Sequence, residues 1–198
     1  MSISLQKGQK ISLTKENESL NKIIIGLGWD QIEQKKSGFS FFSTKQATID
    51  CDASAFILKN GKLDKRDDVV YYGNLKHSSS AVKHMGDNLT GEGDGDDEQI
   101  VVELAKIPTK YDKIILVVNI YKANDRKQDF GMIKNAFIRL VDMKTNKEIC
   151  KYNLTENYSG CTAMIFGELY YHDKEWKFNA IGQGTNDSDL GKLAERFS

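Results

Sequence analysis

The sequence predicts an all-β protein, an antiparallel β-sandwich with one or two short helices. Short segments rich in Ile, Val, Phe, Tyr and Thr recur along the 198 residues, several of them alternating apolar and polar side chains. Turn-forming residues separate these segments, and helical periodicity is scarce. A chain of this length suits one such core, so we predict a single domain over residues 1–198.

Nine segments have the composition or the alternation of strands, and so many short strands in 198 residues are typical of a sandwich. Turn residues predict two hairpins, one through Met143–Asn146 and one through Asp173 and Lys174. The nine predicted strands are Lys22–Gly26, Ala47–Leu58, Val69–Tyr72, Gln99–Leu104, Lys113–Lys122, Asn135–Asp142, Lys147–Leu154, Thr162–His172 and Glu175–Gly182.

Helices are predicted only at Phe130–Lys134 and Leu190–Phe197. In the second segment the apolar residues fall on one helical face, so we expect it to pack against an edge of the sandwich. The segment Gln31–Lys45 has mixed charge and an aromatic cluster, and it reads as an exposed connection.

The chain carries no net charge, with 28 basic and 28 acidic side chains, so no overall basic field indicates a nucleic-acid partner. The amino terminus lacks a signal-peptide pattern, and the richest apolar stretch, Ile114–Tyr121, is shorter than a spanning helix of roughly 20 residues. We therefore expect a cytoplasmic protein without a transmembrane segment. The three cysteines, Cys51, Cys150 and Cys161, form no C-x-x-C pair and fit reduced packing thiols.

Acidic side chains concentrate in the segment Asp87–Glu98, which holds six carboxylates, no Lys or Arg, and glycines that allow tight wrapping. Two like charges 4 Å apart repel by about 4 kcal/mol at an effective dielectric near 20. Calcium, which takes six to eight oxygen ligands, would neutralise such a cluster. A purely solvated acidic loop is the alternative interpretation.

The acidic segment has the twelve-residue length of an EF-hand loop but not its pattern. Leu89 and Gly91 stand where oxygen ligands are needed, and Glu92 stands where glycine is needed. Strands rather than helices flank it. A calcium site here would therefore belong to a different architecture.

Oxygen donors elsewhere could complete a metal site. Asp50 and Asp52 lie two residues apart on a predicted strand, so they project from the same face, opposite Cys51 and Ala53. Asp30 and Asn74 lie at the ends of predicted strands.

No enzymatic motif is visible, and we expect no catalytic activity. G-x-S-x-G and H-E-x-x-H are absent, and the histidines are scattered. The Gly-rich acidic segment is crowded with anions and cannot cradle a phosphate. His84 lies near it, yet a loop histidine is ordinarily solvated.

Several segments resemble the bacterial TerD family, in the same order along the chain. They are Ser4–Leu13, Gly26–Asp30 (GLGWD), Asp50–Phe56 (DCDASAF), Gly86–Gln99 (GDNLTGEGDGDDEQ), Phe130–Arg139 and Phe166–Tyr170. The resemblance implies a calcium-binding β-sandwich that acts with other Ter-type stress proteins in a cytoplasmic or membrane-peripheral assembly. This chain departs from the family pattern at the extra residues Gln31–Gln46 and at Cys51, where a bulkier apolar residue is usual.

Matching the motifs residue by residue carries the metal-binding role onto the D-x-D strand, the GLGWD acid and the acidic segment. The surplus of ligands favours two calcium ions that share bridging carboxylates. Together with Asn74, the candidate metal ligands are Asp30, Asp50, Asp52, Asp87, Asn88, Gly91, Gly93, Asp96, Asp97 and Glu98.

Two functions of different classes remain open. In the first, calcium orders the acidic segment and builds a binding surface for partner proteins. In the second, the protein works without calcium and the acidic segment docks directly onto a basic partner.

Overall fold

The computed structural model describes residues 2–15, 19–31, 48–86 and 95–198. Four candidate ligands, Asp87, Asn88, Gly91 and Gly93, lie outside the described residues, as does most of the segment Gln31–Lys45. The described residues form two six-stranded sheets packed face to face, so the predicted β-sandwich is confirmed.

The first sheet, sheet A, has the spatial order β1-β10-β9-β3-β7-β6. Its strands are β1 (Ile3–Leu5), β3 (Lys22–Gln31), β6 (Val82–His84), β7 (Glu98–Glu103), β9 (Ile133–Asp142) and β10 (Lys147–Asn153).

The second sheet, sheet B, has the order β2-β12-β11-β8-β4-β5. Its strands are β2 (Lys10–Ser12), β4 (Cys51–Leu58), β5 (Val69–Val70), β8 (Lys113–Ile120), β11 (Ala163–His172) and β12 (Glu175–Thr185).

Side-chain alternation produces the core between the sheets. In β3 the buried residues Ile23, Ile25 and Leu27 face the other sheet, and Ile100 of β7 and Leu140 of β9 join them. Burying each such side chain contributes about 1.5–3 kcal/mol. This layer fixes which face of each strand points into the sandwich and which points outwards.

A second apolar cluster covers the outer face of sheet B. Phe56 of β4 and Val117 of β8 lie there with Leu193, which belongs to the helix α2 (Leu190–Glu195). The Asp189 side chain caps this helix by accepting from the backbone N–H of Lys192 at 2.9 Å. The predicted carboxy-terminal helix is present but ends at Glu195, and the expectation that it packs against an edge is wrong, because it covers a face of sheet B.

The other predicted helix, Phe130–Lys134, is wrong beyond its first turn. Phe130–Met132 form a single 3-10 turn, and β9 begins at Ile133. A four-residue helix, α1 (Ala123–Arg126), follows β8 and was not predicted. Further 3-10 turns span Arg66–Asp68 and Leu104–Lys106.

All nine predicted strands are present, with shifted ends. The three strands that sequence reasoning missed, β1, β2 and β6, each have three residues. Strand β1 pairs parallel to β10, whereas the prediction was antiparallel throughout. Both predicted hairpins form, and at the second turn Asp173 and Lys174 adopt φ of 55° and 64°, the left-handed conformation of a tight hairpin. Within the described ranges no helix has the length and apolar character to cross a membrane.

Candidate functional site

The end of the acidic segment lies across the outer face of β3, and two glycines make room for it. A Cβ at Gly26 would come within 2.1 Å of the Asp96 carboxyl carbon, and one at Gly28 within 2.8 Å of the Gly95 carbonyl oxygen. Asp97 then donates its backbone N–H to the Leu27 carbonyl at 2.8 Å. Because the glycines of the GLGWD motif have no side chains, residues 95–97 can pack directly against the backbone of β3.

Asp96 is paired with an arginine on the neighbouring strand β9. Arg139 donates to both carboxylate oxygens, from Nε at 2.6 Å and from Nη2 at 3.1 Å, and Gln99 adds a third donor at 3.1 Å. The Asp96 side chain is 2% exposed. A bidentate pair of this kind both fixes the orientation of the carboxylate and stabilises its negative charge. The predicted ligand Asp96 therefore turns both oxygens towards Arg139.

Asp97 and Asp30 line one cavity of about 510 Å³ on the outer face of sheet A. Asp97 accepts from the backbone N–H of Trp29 at 2.7 Å, and Asp30 accepts from the Asn135 side chain at 2.6 Å. Burial raises the pKa of Asp97, the charges of Asp30 and Asp96 add to the rise, and the Trp29 N–H opposes it. A cation in this cavity would relieve the same repulsion.

Glu98 joins the acidic segment to the other sheet. Its buried carboxylate accepts from the backbone N–H of Ala53 in β4 at 2.5 Å and lies 3.4 Å from His84 Nε2. His84 Nδ1 accepts from the Gly86 N–H at 3.2 Å, so in the neutral ring the proton is on Nε2, which faces Glu98 and the Ala53 carbonyl. The expectation of a solvated His84 is wrong, because this residue belongs to β6 and is 4% exposed.

The D-x-D strand has the predicted alternation. Cys51 and Ala53 pack in the core between the sheets, while Asp52 faces the outer side of sheet B with Phe56. Asp50 precedes β4 and lies 3.5 Å from the Arg126 guanidinium of α1. Asp52 is 4% exposed, which is unusual burial for an ionised side chain.

Asn74 lies in the turn after β5. Its side-chain amide donates to the Val69 carbonyl at 2.7 Å, and its backbone pairs with Tyr71. This hydrogen bond closes the turn through the amide nitrogen, so the Asn74 side chain could bind a cation through its amide oxygen.

The acids of the two segments share one electrostatic environment. Burial raises the pKa of the Cys51 thiol well above its ordinary value, and the charges of four carboxylates raise it further: Asp52, Glu98, Asp50 and Asp97. The D-x-D strand and the acidic segment are therefore close enough for their charges to act on one buried group. Arg126 pairs with Asp50 at this end of the sandwich, and Arg139 pairs with the neighbouring acid Asp96.

The donor set has the chemistry of a calcium site, since carboxylate and amide oxygens are the ligands that this ion prefers. Among residues 2–15, 19–31, 48–86 and 95–198, no three His, Cys, Asp or Glu side chains converge tightly enough to hold a metal ion by themselves. A calcium site formed by the described acids would therefore need further oxygens.

Two residues of the site escaped sequence reasoning, Arg139 and Arg126. Each pairs with an acid distant in sequence, 43 residues away in the case of Arg139 and Asp96. The motif Phe130–Arg139 carried the signal for Arg139, as a basic residue between the apolar residues Ile138 and Leu140.

Comparison with known proteins gives consistent matches over the whole chain. The family model described as the TerD domain matches residues 1–197. The stress response protein SCP2 of Bacillus subtilis is 51% identical over 100% of both chains. The tellurium resistance protein TerD of Serratia marcescens is 48% identical over 93% of this chain and 91% of its own length.

A solved structure shares the fold at low sequence identity. The crystal structure of a homologue of the telluride resistance protein TerD from Streptomyces coelicolor covers 90% of this chain and 98% of its own, with a TM-score of 0.65 and 17% identity. At this identity the likeness extends to the fold alone.

Proposed function

We propose that this chain, which belongs to the TerD family, is a non-enzymatic, calcium-dependent binding module of the bacterial tellurium-resistance and stress response. Relatives at about half identity carry those two functions in their names. In this proposal the module acts in the cytoplasm, binds two calcium ions, and offers the ordered acidic segment to other Ter-type proteins.

One contact carries the proposal: the hydrogen bond from the Ala53 N–H to Glu98. It holds the last residue of the acidic segment against β4, which bears Asp52 and begins directly after Asp50. Negative charge from two distant parts of the sequence is thereby concentrated at one end of the sandwich. Divalent cations would turn this repulsion into attraction, and the ordered segment would then have a fixed surface.

Thermal unfolding in excess calcium and in chelator tests the proposal. A ligand at 100 times its Kd that binds only the folded state stabilises it by about 2.7 kcal/mol. For a domain of this size, the melting temperature should rise by roughly 5–10 °C. Magnesium at the same concentration is the control, and titration calorimetry gives the number of ions bound.

Matched substitutions locate the site. Asp52→Asn and Asp97→Asn should each weaken calcium binding by roughly tenfold or more, because each removes a charged oxygen ligand. Asp173→Asn is the control, since it removes a carboxylate from an exposed turn where φ of 55° suits asparagine. If both site variants bind calcium as tightly as the parent, the ligand assignment fails.

Absence of any calcium-dependent shift would favour the second hypothesis, in which the acidic segment docks a basic partner directly. That mode predicts partner binding that weakens steeply with salt and is indifferent to chelator.

A further inference from the structure

A second cavity, of about 350 Å³, lies on the outer face of sheet B between β4, β8 and the start of α2. Its floor is formed by Asp52 and Asn119, which stand opposite each other in the β4–β8 register. Its volume falls within the range of small-ligand sites. Asn119 is not among the predicted site residues.

Asn119 supplies the observation that points to a ligand. The residue is 94% buried, with 6% of its surface exposed, and its Oδ1 has no hydrogen-bond partner in the described part of the structure. Buried acceptors are nearly always satisfied. An N–H donor entering the cavity would satisfy this one.

The charged residues that line the cavity select the charge of that donor. Asp125 and Asp189 join Asp52 as acids in the lining, against the single cation Lys122. Two carboxylates beyond the candidate calcium ligands therefore favour a positive guest.

Three tyrosines, Tyr71, Tyr72 and Tyr121, line the same cavity. Aromatic faces attract alkylammonium groups and cover their methylene stems, but they offer nothing to a divalent ion that needs six to eight oxygens. The chain's own cations already use one of these rings, since the Lys122 ammonium and the Arg126 guanidinium lie 5.3 and 5.2 Å from the Tyr121 ring centre.

We propose that this cavity, lined by Asn119, Asp125, Asp189 and the three tyrosines, binds a primary alkylammonium group. A lysine side chain of a partner protein and a free polyamine share this chemistry. The inference goes beyond the proposed calcium function and does not require it.

The site is tested by titrating the full chain in chelator at fixed ionic strength. Binding is monitored by ¹H–¹⁵N correlation NMR. The probes are spermidine, Nα-acetyl-lysine amide, and the same lysine derivative acetylated on Nε, which is neutral. The charged probes should give saturable shifts at the Asn119 side-chain amide, and the neutral probe should give none. Tighter binding of spermidine by tenfold or more would assign the site to polyamines, and near-equal affinities would assign it to lysine side chains.

Variants separate this cavity from nonspecific attraction. Tyr72→Ala should weaken binding roughly two- to fivefold through loss of a cation–π contact, and Asn119→Leu by about tenfold. Tyr171→Ala is the control, because this tyrosine lies on β11 and is similarly exposed, 48% against 43% for Tyr72. Equal effects of the two tyrosine variants, or no saturable shift, would overturn the proposal.

A calcium arm keeps the two proposals distinguishable. Calcium at Asp52 should weaken ammonium binding only in part, because Asp125 and Asp189 still line the cavity. Complete loss of ammonium binding at stoichiometric calcium would assign the cavity to the metal and overturn the inference. Ammonium binding in a protein that shows no calcium-dependent stabilisation would leave this inference standing while the calcium function fails.

Discussion

Replacing Arg139 by methionine removes the guanidinium that neutralises Asp96 while keeping most of the stem. The variant leaves a carboxylate with 2% side-chain exposure and only the Gln99 amide as a described side-chain donor. Hydrogen bonds to charged groups contribute about 1.5–3 kcal/mol each. Because the Arg139 side chain is 32% exposed, solvent screens part of this contribution.

We therefore expect Arg139→Met to lower the free energy of unfolding by about 2–3 kcal/mol in chelator. A domain of this size should lose roughly 4–12 °C in melting temperature. Urea unfolding of Arg139→Met, Asp96→Asn and the double variant gives the coupling energy directly. We expect about 1–2 kcal/mol, since the neutral amide of asparagine cannot form the ionic fork.

Lys7→Met is the matched control. Lys7 and Glu156 also lie 2.6 Å apart, but their side chains are 46% and 50% exposed. Exposed pairs contribute at most about 1 kcal/mol. A coupling energy between Arg139 and Asp96 below about 0.5 kcal/mol, within the usual error of additivity, would refute the view that this pair anchors the acidic segment.

Three further outcomes are expected. Burial raises the pKa of Asp97, so the folded state loses stability as pH rises through that pKa. In chelator, Asp97→Asn should therefore be more stable than the parent at pH 7, and urea unfolding should show this advantage shrinking as pH falls towards the ordinary pKa of 3.8. Leu193→Ala should cost about 2–5 kcal/mol in urea unfolding, against less than about 0.5 kcal/mol for the exposed Glu195→Ala. Alkylation of the native protein at pH 7.5, followed by mass spectrometry, should modify the half-buried Cys161 before the fully buried Cys51.

The fold was predictable because its long strands carry a clear signal. Segments such as β8 and β11 are long enough for composition and turn chemistry to identify them. Three-residue strands such as β6 are too short to show a period. Missing β6 placed His84 in a loop, and the error about its burial followed from the missing strand.

The candidate site was predictable only as a set of residue types. Local spacing put Asp52 and Cys51 on opposite faces, as the structure has them. The partners of the acids could not be predicted, because Arg139 reaches Asp96 through the pairing of β9 with β3. The hydrophobic pattern decides which face of each strand is buried, but the spacing within one segment does not identify the residue that lies opposite on a distant strand.

The GLGWD motif and the acidic segment are structurally complementary. Gly26 and Gly28 leave β3 without side chains on one face, so Gly95 and Asp96 can lie on it. Glu98 then reaches through to β4 in the opposite sheet. The acidic segment is consequently held at one end by both sheets, and a cation bound between it and Asp52 would tie the sheets together at this end. Calcium, if it binds as proposed, should therefore slow amide exchange in β4 and β7 together, and protection confined to β7 would mean that the ion contacts only one sheet.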